Sequence, residues 1–348
     1  MATFIMAGGG TGGHVIPALA VARELRARSH SVRFIGTRRG MESKLVPADH
    51  FPIEWIEIGG LKRVGLRKTL SSLSELPRSV LTAMRILDRA APSAVFSTGG
   101  YVAGPVLLAA SLKRVPVVVM EPNAVPGFTH RRLARFVRRA LVSFPETSRW
   151  FPPGRAEVTG MPVRAEFFAV PRRPPGAQFT VLITGGSQGS RTLNRAGQEI
   201  WGGAFRLIHQ TGAAAYDELA PRFRESGAEG EIRAFLDDMP RAFAQADLVV
   251  SRAGMSTVSE IAAAGKPSIL VPLPTASDQH QLRNAEAFQK AGAARLVLDA
   301  EMNGVRLMEE VRLLSGDPQG LTAMAEAARA FANPDAARRA ATVLEDLC

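Results

Sequence analysis

The residues most suited to chemistry begin at residue 6, where the sequence MAGGGTGGH follows a short apolar run. Clustered glycines let a backbone approach a ligand closely and adopt positive φ angles. The apolar stretch 15–22 predicts a helix, whose first N–H groups and positive dipole end attract anions. The pattern therefore predicts a phosphate-binding loop with a histidine at the start of the helix. A tight strand–helix turn without a ligand is the alternative.

A similar loop opens the second half of the chain. Residues 179–184, FTVLIT, predict a buried strand, and residues 185–190, GGSQGS, lead into a helix. Ser187 and the loop around it offer a second contact for a diphosphate.

Neither loop matches the common nucleotide-binding motifs. The dinucleotide fingerprint expects an acid at the end of the second strand, but residues 34–38 read FIGTR. No Walker lysine follows either loop, so NAD binding and phosphoryl transfer from ATP are both disfavoured.

A better placed acid lies in the second half. Glu260 is one helical turn into the helix that opens near Gly254. A carboxylate there can accept hydrogen bonds from both hydroxyls of a ribose, while nearby N–H groups bind phosphate. His280 and Gln281, at another strand end, offer polar groups for sugar hydroxyls. The alternative is that Glu260 is only a first-turn acid favoured by the helix dipole.

Charge and cysteine content narrow the class of protein. The single cysteine, Cys348, excludes a disulfide framework and favours a reducing cytoplasm. Residues 1–164 carry 24 Lys and Arg against 10 Asp and Glu, whereas residues 165–348 carry 19 against 22. The basic first half favours a polyanionic partner, such as nucleic acid or an anionic membrane, over a merely solvated basic surface.

Residues 66–90 carry leucines at helical spacing among basic side chains, and Pro77 predicts a division into two helices. A basic amphipathic segment can lie on a membrane, although most of these leucines would also suit a protein core. The residues expected to contact the membrane are Lys62, Arg63, Leu66, Arg67, Lys68, Leu70 and Leu73.

Strands alternating with helices in both halves predict an α/β protein with two doubly wound parallel sheets facing a cleft. Right-handed crossovers place the glycine loops at the carboxyl edges of these sheets. The proline-rich stretch 171–176 marks the change of domain. We predict domains over 1–164 and 165–348, leaving open that the last helix packs on the first domain.

Seven motifs in register resemble the MurG family of bacterial glycosyltransferases over residues 3–330. They are GGTGGH at 9–14, GGYV at 99–102, EPNAVPG at 121–127, PVR at 162–164, GGSQG at 185–189, TVSEIAAAG at 257–265, and DQHQ at 278–281 with Asn284-Ala285.

The resemblance implies the GT-B fold and inverting transfer of N-acetylglucosamine from UDP-N-acetylglucosamine to the C4 hydroxyl of the muramic acid in lipid I. It implies no cofactor, no catalytic metal and no nucleic acid. It also implies a peripheral position on the cytoplasmic face of the inner membrane. The implied donor-binding residues are Asn123, Arg164, Ser187, Gln188, Leu236, Gly254, Met255, Ser256, Thr257, Val258, Ser259, Glu260, His280 and Gln281.

The resemblance places Thr11, Gly12, Gly13, His14 and Tyr101 on the acceptor side, and it assigns the lipid diphosphate to the first glycine loop. His14 is the candidate general base, because the reference pKa of imidazole suits proton transfer near neutrality. The alternative for His14 is phosphate binding without proton transfer, and Glu121 is the second candidate base.

Two positions depart from the family pattern: Pro122 replaces a usual Gln, and Met161 replaces a usual Asn. Two other classes of function stay open. One is another UDP-sugar enzyme of this fold, either a glycolipid glycosyltransferase or an epimerase. The other is a basic nucleic-acid-binding protein, which the scarcity of aromatic residues among the basic helices disfavours.

Overall fold

The computed structural model describes residues 1–58, 66–173, 178–201 and 204–348, and the side chains of residues 66–74 and of residue 277 are not described. The chain forms two compact units, Met1–Pro162 with Asp335–Cys348, and Val163–Pro334. Residues 335–348, which the predicted boundaries assign to the second domain, thus lie in the first unit.

Each unit is built on a parallel sheet. The first sheet has the order β3-β2-β1-β4-β5-β6-β7, and the second has the order β10-β9-β8-β11-β12-β13. Two doubly wound α/β sheets are therefore confirmed. The strands are β1 Thr3–Gly8, β2 Ser31–Gly36, β3 Ile53–Trp55, β4 Ala94–Gly99, β5 Val117–Glu121, β6 Arg139–Val142, β7 Ala156–Val158, β8 Thr180–Thr184, β9 Arg206–Gln210, β10 Gly230–Arg233, β11 Leu248–Ser251, β12 Ser268–Leu270 and β13 Arg295–Leu296.

Helices connect the strands and cover the sheets. They are α1 Gly12–Ala27, α2 Glu42–Ala48, α3 Leu66–Ala90, α4 Ala103–Leu112, α5 Phe128–Leu133, α6 Ala165–Phe168, α7 Arg191–Glu199, α8 Ala213–Glu225, α9 Met239–Gln245, α10 Met255–Ala264, α11 His280–Lys290, α12 Gly304–Ser315, α13 Pro318–Arg329 and α14 Ala336–Glu345. None of the helices in the described part of the chain combines the length and apolar character needed to span a membrane.

Helix α3 corrects one prediction, because it runs without a break through Pro77. A proline removes one N–H donor from a helix, but burial of the turns that follow it can hold the helix together. Val80, Ala83 and Leu87 on this helix are buried in the core of the first unit.

The side chains of the residues predicted to contact a membrane lie outside the described part of the chain. Lys62 and Arg63 lie outside the described residues. The backbones of Leu66, Arg67, Lys68, Leu70 and Leu73 belong to α3, but their side chains are outside the described part.

Helix α14 closes the core of the first unit. Ala340, Ala341 and Leu344 are fully buried in the cluster that also contains residues of β1 and α1. Arg28, which follows α1, donates hydrogen bonds to the side chains of Thr342 at 3.0 Å and Glu345 at 2.6 Å. The end of the chain is thus an integral part of the first sheet domain.

Candidate functional site

The first glycine loop joins β1 to α1 and lies against the turn that follows β4. Gly10 and Gly100 have φ angles of +94° and +84°. A Cβ atom placed on Gly100 would lie 2.2 Å from the carbonyl oxygen of Gly9. Because β1 and β4 are adjacent, only glycine lets the two turns touch backbone to backbone.

His14 occupies the first turn of α1, where its tautomer is set by a neighbouring carbonyl. Its Nδ1 lies 2.7 Å from the carbonyl oxygen of Thr98, and the Thr98 hydroxyl donates to the His14 carbonyl at 2.7 Å. A carbonyl only accepts, so Nδ1 must carry the proton. In the neutral ring, the lone pair then resides on Nε2, which is the form that a general base requires.

The other residues predicted for this side lie around the same turns. Thr11 is exposed, and its side chain does not cap α1. Gly12 and Gly13 form the partly exposed first turn of that helix. The Tyr101 ring packs on the loop, because a Cβ atom on Gly10 would lie 2.7 Å from the Cε1 of Tyr101.

Glu121, the second candidate base, is buried and surrounded by donors. Its Oε1 accepts from the backbone N–H of Asn123 at 3.0 Å and from the Asn123 side chain at 2.9 Å. Its Oε2 accepts from the Gly127 N–H at 3.0 Å and lies 2.8 Å from Nδ1 of His130.

These contacts set the proton affinity of Glu121. Burial alone would raise the pKa of the Glu121 carboxyl, but the hydrogen bonds from His130 and Asn123 and the His130 charge lower it below its usual range. A carboxylate with both oxygens engaged and a low pKa is a weak base. The geometry fits an anchor for the 121–127 loop.

The sequence gives no spacing signal for His130, which the structure brings to this cluster. The ring is buried, and its Cε1 would lie 3.5 Å from a Cβ atom on Gly99, whose other neighbour is His14. The Glu121–His130 pair and His14 therefore flank the same glycine.

Glu42 is another residue that no sequence motif indicates. It begins α2, is fully buried, and accepts a hydrogen bond from the Gly10 N–H at 2.8 Å. Its other oxygen accepts from the N–H and the hydroxyl of Thr37 at 3.0 and 2.9 Å. The dinucleotide fingerprint expects an acid at the end of β2. Glu42 follows that strand by a few residues, but its carboxylate binds the backbone of the glycine loop.

The second glycine loop, residues 185–189, is tightly packed. Gly186 and Gly189 have φ angles of +82° and +72°, and a Cβ atom on Gly189 would lie 1.9 Å from the Thr211 carbonyl oxygen. Ser187 and Gln188 are exposed at the tip. The fixed backbone therefore presents the two side chains predicted for the diphosphate.

Gln210, at the end of β9, connects this loop to Leu236. It is buried, and its Nε2 donates to the Thr184 hydroxyl at 3.1 Å and to the Gly186 carbonyl at 2.9 Å. Its Oε1 accepts from the Leu236 N–H at 2.8 Å. Sequence spacing did not reveal this bridge, which spans the edges of three strands.

Glu260 lies in the second turn of α10 and is partly buried. Burial raises the pKa of its carboxyl to about 7, although the Arg164 charge opposes the shift. Among the described residues no hydrogen-bond donor engages this carboxylate. Its oxygens therefore remain available to a ligand.

The other residues of the 254–260 segment, at the start of α10, differ in how exposed they are. Gly254, Ser256 and Thr257 are partly exposed, whereas Met255, Val258 and Ser259 have buried side chains. Ligand contacts from the buried group would have to come from the backbone.

His280 and Gln281 begin α11 after an unusual turn. Asp278 and Gln279 have φ angles of 52° and 53°, a conformation that non-glycine residues rarely adopt and that is enriched at functional sites. Gln281 Oε1 accepts from the Leu273 N–H at 2.9 Å, and its Nε2 would lie 3.8 Å from a Cβ atom on Gly254. The second unit thus brings Gln281 to the start of α10.

Comparison with known proteins agrees with the fold of two parallel-sheet domains. The family model of the glycosyltransferase family 28 N-terminal domain matches residues 4–142, and that of the C-terminal domain matches residues 180–340. A relative from Solibacter usitatus (strain Ellin6076) is named UDP-N-acetylglucosamine--N-acetylmuramyl-(pentapeptide) pyrophosphoryl-undecaprenol N-acetylglucosamine transferase. It is 57% identical over 352 residues, which cover 99% of this chain and 96% of the relative.

Two solved structures are similar to this fold over nearly the whole chain. The crystal structure of Acinetobacter baumannii MurG has a TM-score of 0.86 and 31% identity, covering 99% of this chain and 100% of that one. The UDP-GlcNAc 2-epimerase from Neisseria meningitidis has a TM-score of 0.67 and 14% identity, covering 99% and 100%, and shares the fold alone. From the sequence relationship, the chain belongs to glycosyltransferase family 28 and, within it, to the MurG family.

Proposed function

We propose that this protein transfers N-acetylglucosamine from UDP-N-acetylglucosamine to the C4 hydroxyl of the N-acetylmuramyl-(pentapeptide) pyrophosphoryl-undecaprenol lipid, lipid I, and so forms lipid II for peptidoglycan. The observation that carries this proposal is the 57% identity, over nearly the whole chain, to a relative named for that reaction. The epimerase alternative shares only the fold, at 14% identity.

The donor is assigned to residues of the second unit. The Glu260 carboxylate accepts hydrogen bonds from the ribose, and the loop with Ser187 and Gln188 binds the diphosphate. Leu236 meets the uracil through its backbone, and His280 and Gln281 meet the sugar. The observation that most favours this assignment is that the Glu260 carboxylate accepts no hydrogen bond from any of the described residues.

The acceptor is assigned to the first glycine loop, with Thr11, Gly12, Gly13 and Tyr101, while Asn123 contacts the donor sugar. The acceptor C4 oxygen attacks C1 of the donor sugar, and its proton passes to Nε2 of His14. The bond from C1 to the diphosphate oxygen breaks, and UDP leaves with inversion at C1. The Nδ1–H of His14 remains on the Thr98 carbonyl throughout.

The reaction is tested with labelled UDP-N-acetylglucosamine and a short-chain lipid I analogue in EDTA. Transfer by the wild type, with Glu260→Ala raising the donor KM, supports the proposal. Release of free UDP or of epimerised sugar without transfer would support the assigned donor site and contradict the assigned lipid acceptor. Failure to bind UDP-N-acetylglucosamine would reject the whole assignment.

We further propose peripheral binding to the anionic cytoplasmic face of the inner membrane. Exposed aromatic rings stacked with arginines support it: Arg132 lies over Phe128, and Arg135 over Phe136. Aromatic rings and arginines suit the membrane interface. Salt-sensitive sedimentation with phosphatidylglycerol vesicles, but not with phosphatidylcholine vesicles, is expected; equal binding to both would contradict the electrostatic part.

A further inference from the structure

We propose that Glu42 is a positioning residue for the acceptor site, which holds the first glycine loop in its binding shape and sets the hydrogen-bond direction of Tyr101. The assignment of this loop to the acceptor rests on the proposed function. The role of Glu42 in shaping the loop rests on geometry alone.

The carboxylate of Glu42 is enclosed, and both of its oxygens accept hydrogen bonds. The side chain is 0% exposed. One oxygen accepts from the Gly10 N–H at 2.8 Å, and the other accepts from the N–H and hydroxyl of Thr37 at 3.0 and 2.9 Å. All three partners are donors, as an ionised carboxylate requires. The loop after β1 is thereby tied to the end of β2.

Neighbouring glycines make room for this carboxylate. A Cβ atom on Gly9 would lie 2.7 Å from Glu42 Oε1, and one on Gly40 would lie 1.9 Å from Oε2. On Gly36 it would lie 2.7 Å from the Cγ of Glu42. Because real Cβ atoms do not approach so closely, these three positions exclude any larger residue while Glu42 keeps its place.

The same carboxylate fixes the direction of a hydrogen-bond chain. The Thr37 hydroxyl has one proton, and it donates that proton to Glu42. The Thr37 oxygen also lies 3.1 Å from the Tyr101 hydroxyl oxygen, so Tyr101 must donate to Thr37. The phenol oxygen of Tyr101 can then only accept further bonds. It suits a hydroxyl or amide N–H of the acceptor, and not a phosphate oxygen.

Glu42→Gln and Thr37→Val test the two parts of this role. Glutamine keeps the size of Glu42, but it turns an acceptor into an NH2 group that faces an N–H donor. We expect about a tenfold rise in the acceptor KM, because a hydrogen bond to a charged group is lost. The Kd for UDP should stay unchanged, since the residues assigned to UDP belong to the other compact unit.

Thr37→Val removes the hydroxyl and frees the Tyr101 proton, whereas Thr37→Ser retains the hydroxyl and serves as its matched control. Asp49→Asn is the control for Glu42→Gln, because Asp49 follows the other end of α2 and pairs with Arg23. We expect Thr37→Val to raise the acceptor KM and Thr37→Ser and Asp49→Asn to leave it near the wild-type value.

A second measurement requires no substrate. Amide hydrogen exchange of a peptide covering residues 8–13 should be faster in Glu42→Gln than in wild type or Asp49→Asn. An unchanged exchange rate would overturn the positioning role, whatever the activity. Faster exchange with an unchanged acceptor KM would overturn its link to the acceptor. Absence of transfer by the wild type would reject the proposed function, while the exchange result would still decide whether Glu42 holds the loop.

Discussion

The hydrogen bond between the His14 ring and the Thr98 carbonyl determines which ring nitrogen can accept a proton. We expect His14→Gln to lower kcat by roughly 10²–10⁴-fold, the usual contribution of a general base. The Kd for UDP-N-acetylglucosamine should change little. A stopped assay of lipid product under saturating substrates measures the effect. A loss confined to the acceptor KM would instead indicate phosphate binding without proton transfer.

The pKa of Glu260 gives a second prediction at the scale of a single residue. Burial raises this pKa to about 7, so the carboxyl is mostly protonated at pH 6 and mostly ionised at pH 8. If the ionised form accepts the ribose hydroxyls, the Kd for UDP-N-acetylglucosamine should fall several-fold across this range.

Calorimetric titrations at pH 6, 7 and 8 measure this change, because the diphosphate diester itself does not titrate there. Glu260→Gln should bind more weakly and show a flat profile. Since the Arg164 charge opposes the shift, Arg164→Met should move the midpoint to higher pH. A pH-dependent Kd that persists in Glu260→Gln would assign the titration to another group.

The sequence predicts only those candidate site residues that stand out by local spacing. His14 and Glu260 follow strand ends at the start of helices, and a local pattern is enough to find them. Glu42 and Gln210 act on backbone groups that are distant along the chain, such as the Gly10 N–H for Glu42. Such partners become visible only when the order of the strands is known.

At the scale of the elements, the second glycine loop permits a matched comparison of two glycines. Both Gly186 and Gly189 have positive φ, but a Cβ atom on Gly186 meets nothing within 4 Å, whereas one on Gly189 meets the Thr211 carbonyl at 1.9 Å. Gly186→Ala should therefore cost only about 1 kcal/mol of backbone strain.

Gly189→Ala should displace the loop and weaken UDP binding by at least tenfold more than Gly186→Ala does. Calorimetry with UDP and the thermal midpoint of each variant are the measurements. Equal affinities in the two variants would show that the backbone packing on Thr211 does not shape the diphosphate site.

Strand positions followed from the sequence more reliably than strand ends. The sequence predicts strands over 31–36 and 206–210, and β2 and β9 have those bounds. The sequence predicts a strand over 231–236, but β10 ends at Arg233. A tertiary contact explains the early end of this strand: the Leu236 N–H donates to the Gln210 side chain and not to a neighbouring strand. In α3, packing likewise outweighed the helix-breaking tendency of Pro77.

For the molecule as a whole, the first unit depends on the last helix. Leu344 is fully buried in the core cluster of that unit. We expect Leu344→Ala to lower the free energy of unfolding by about 2–5 kcal/mol, as is usual for a buried leucine. Urea denaturation measures the loss.

Cys348→Ser, at the exposed chain end, is the control and should leave the free energy of unfolding unchanged. In Leu344→Ala the Kd for UDP should match that of the wild type, since the residues assigned to UDP lie within Val163–Pro334. A loss of UDP affinity in the still folded variant would contradict this separation of roles.

The return of the chain to the first unit has a consequence for the order of synthesis. Residues Asp335–Cys348 complete a core that begins with β1, yet they are synthesised after all of Val163–Pro334. The second unit, Val163–Pro334, is therefore fully synthesised before the core of the first unit can be completed. The face of the first sheet that α14 covers therefore stays exposed until residues 335–348 have been synthesised.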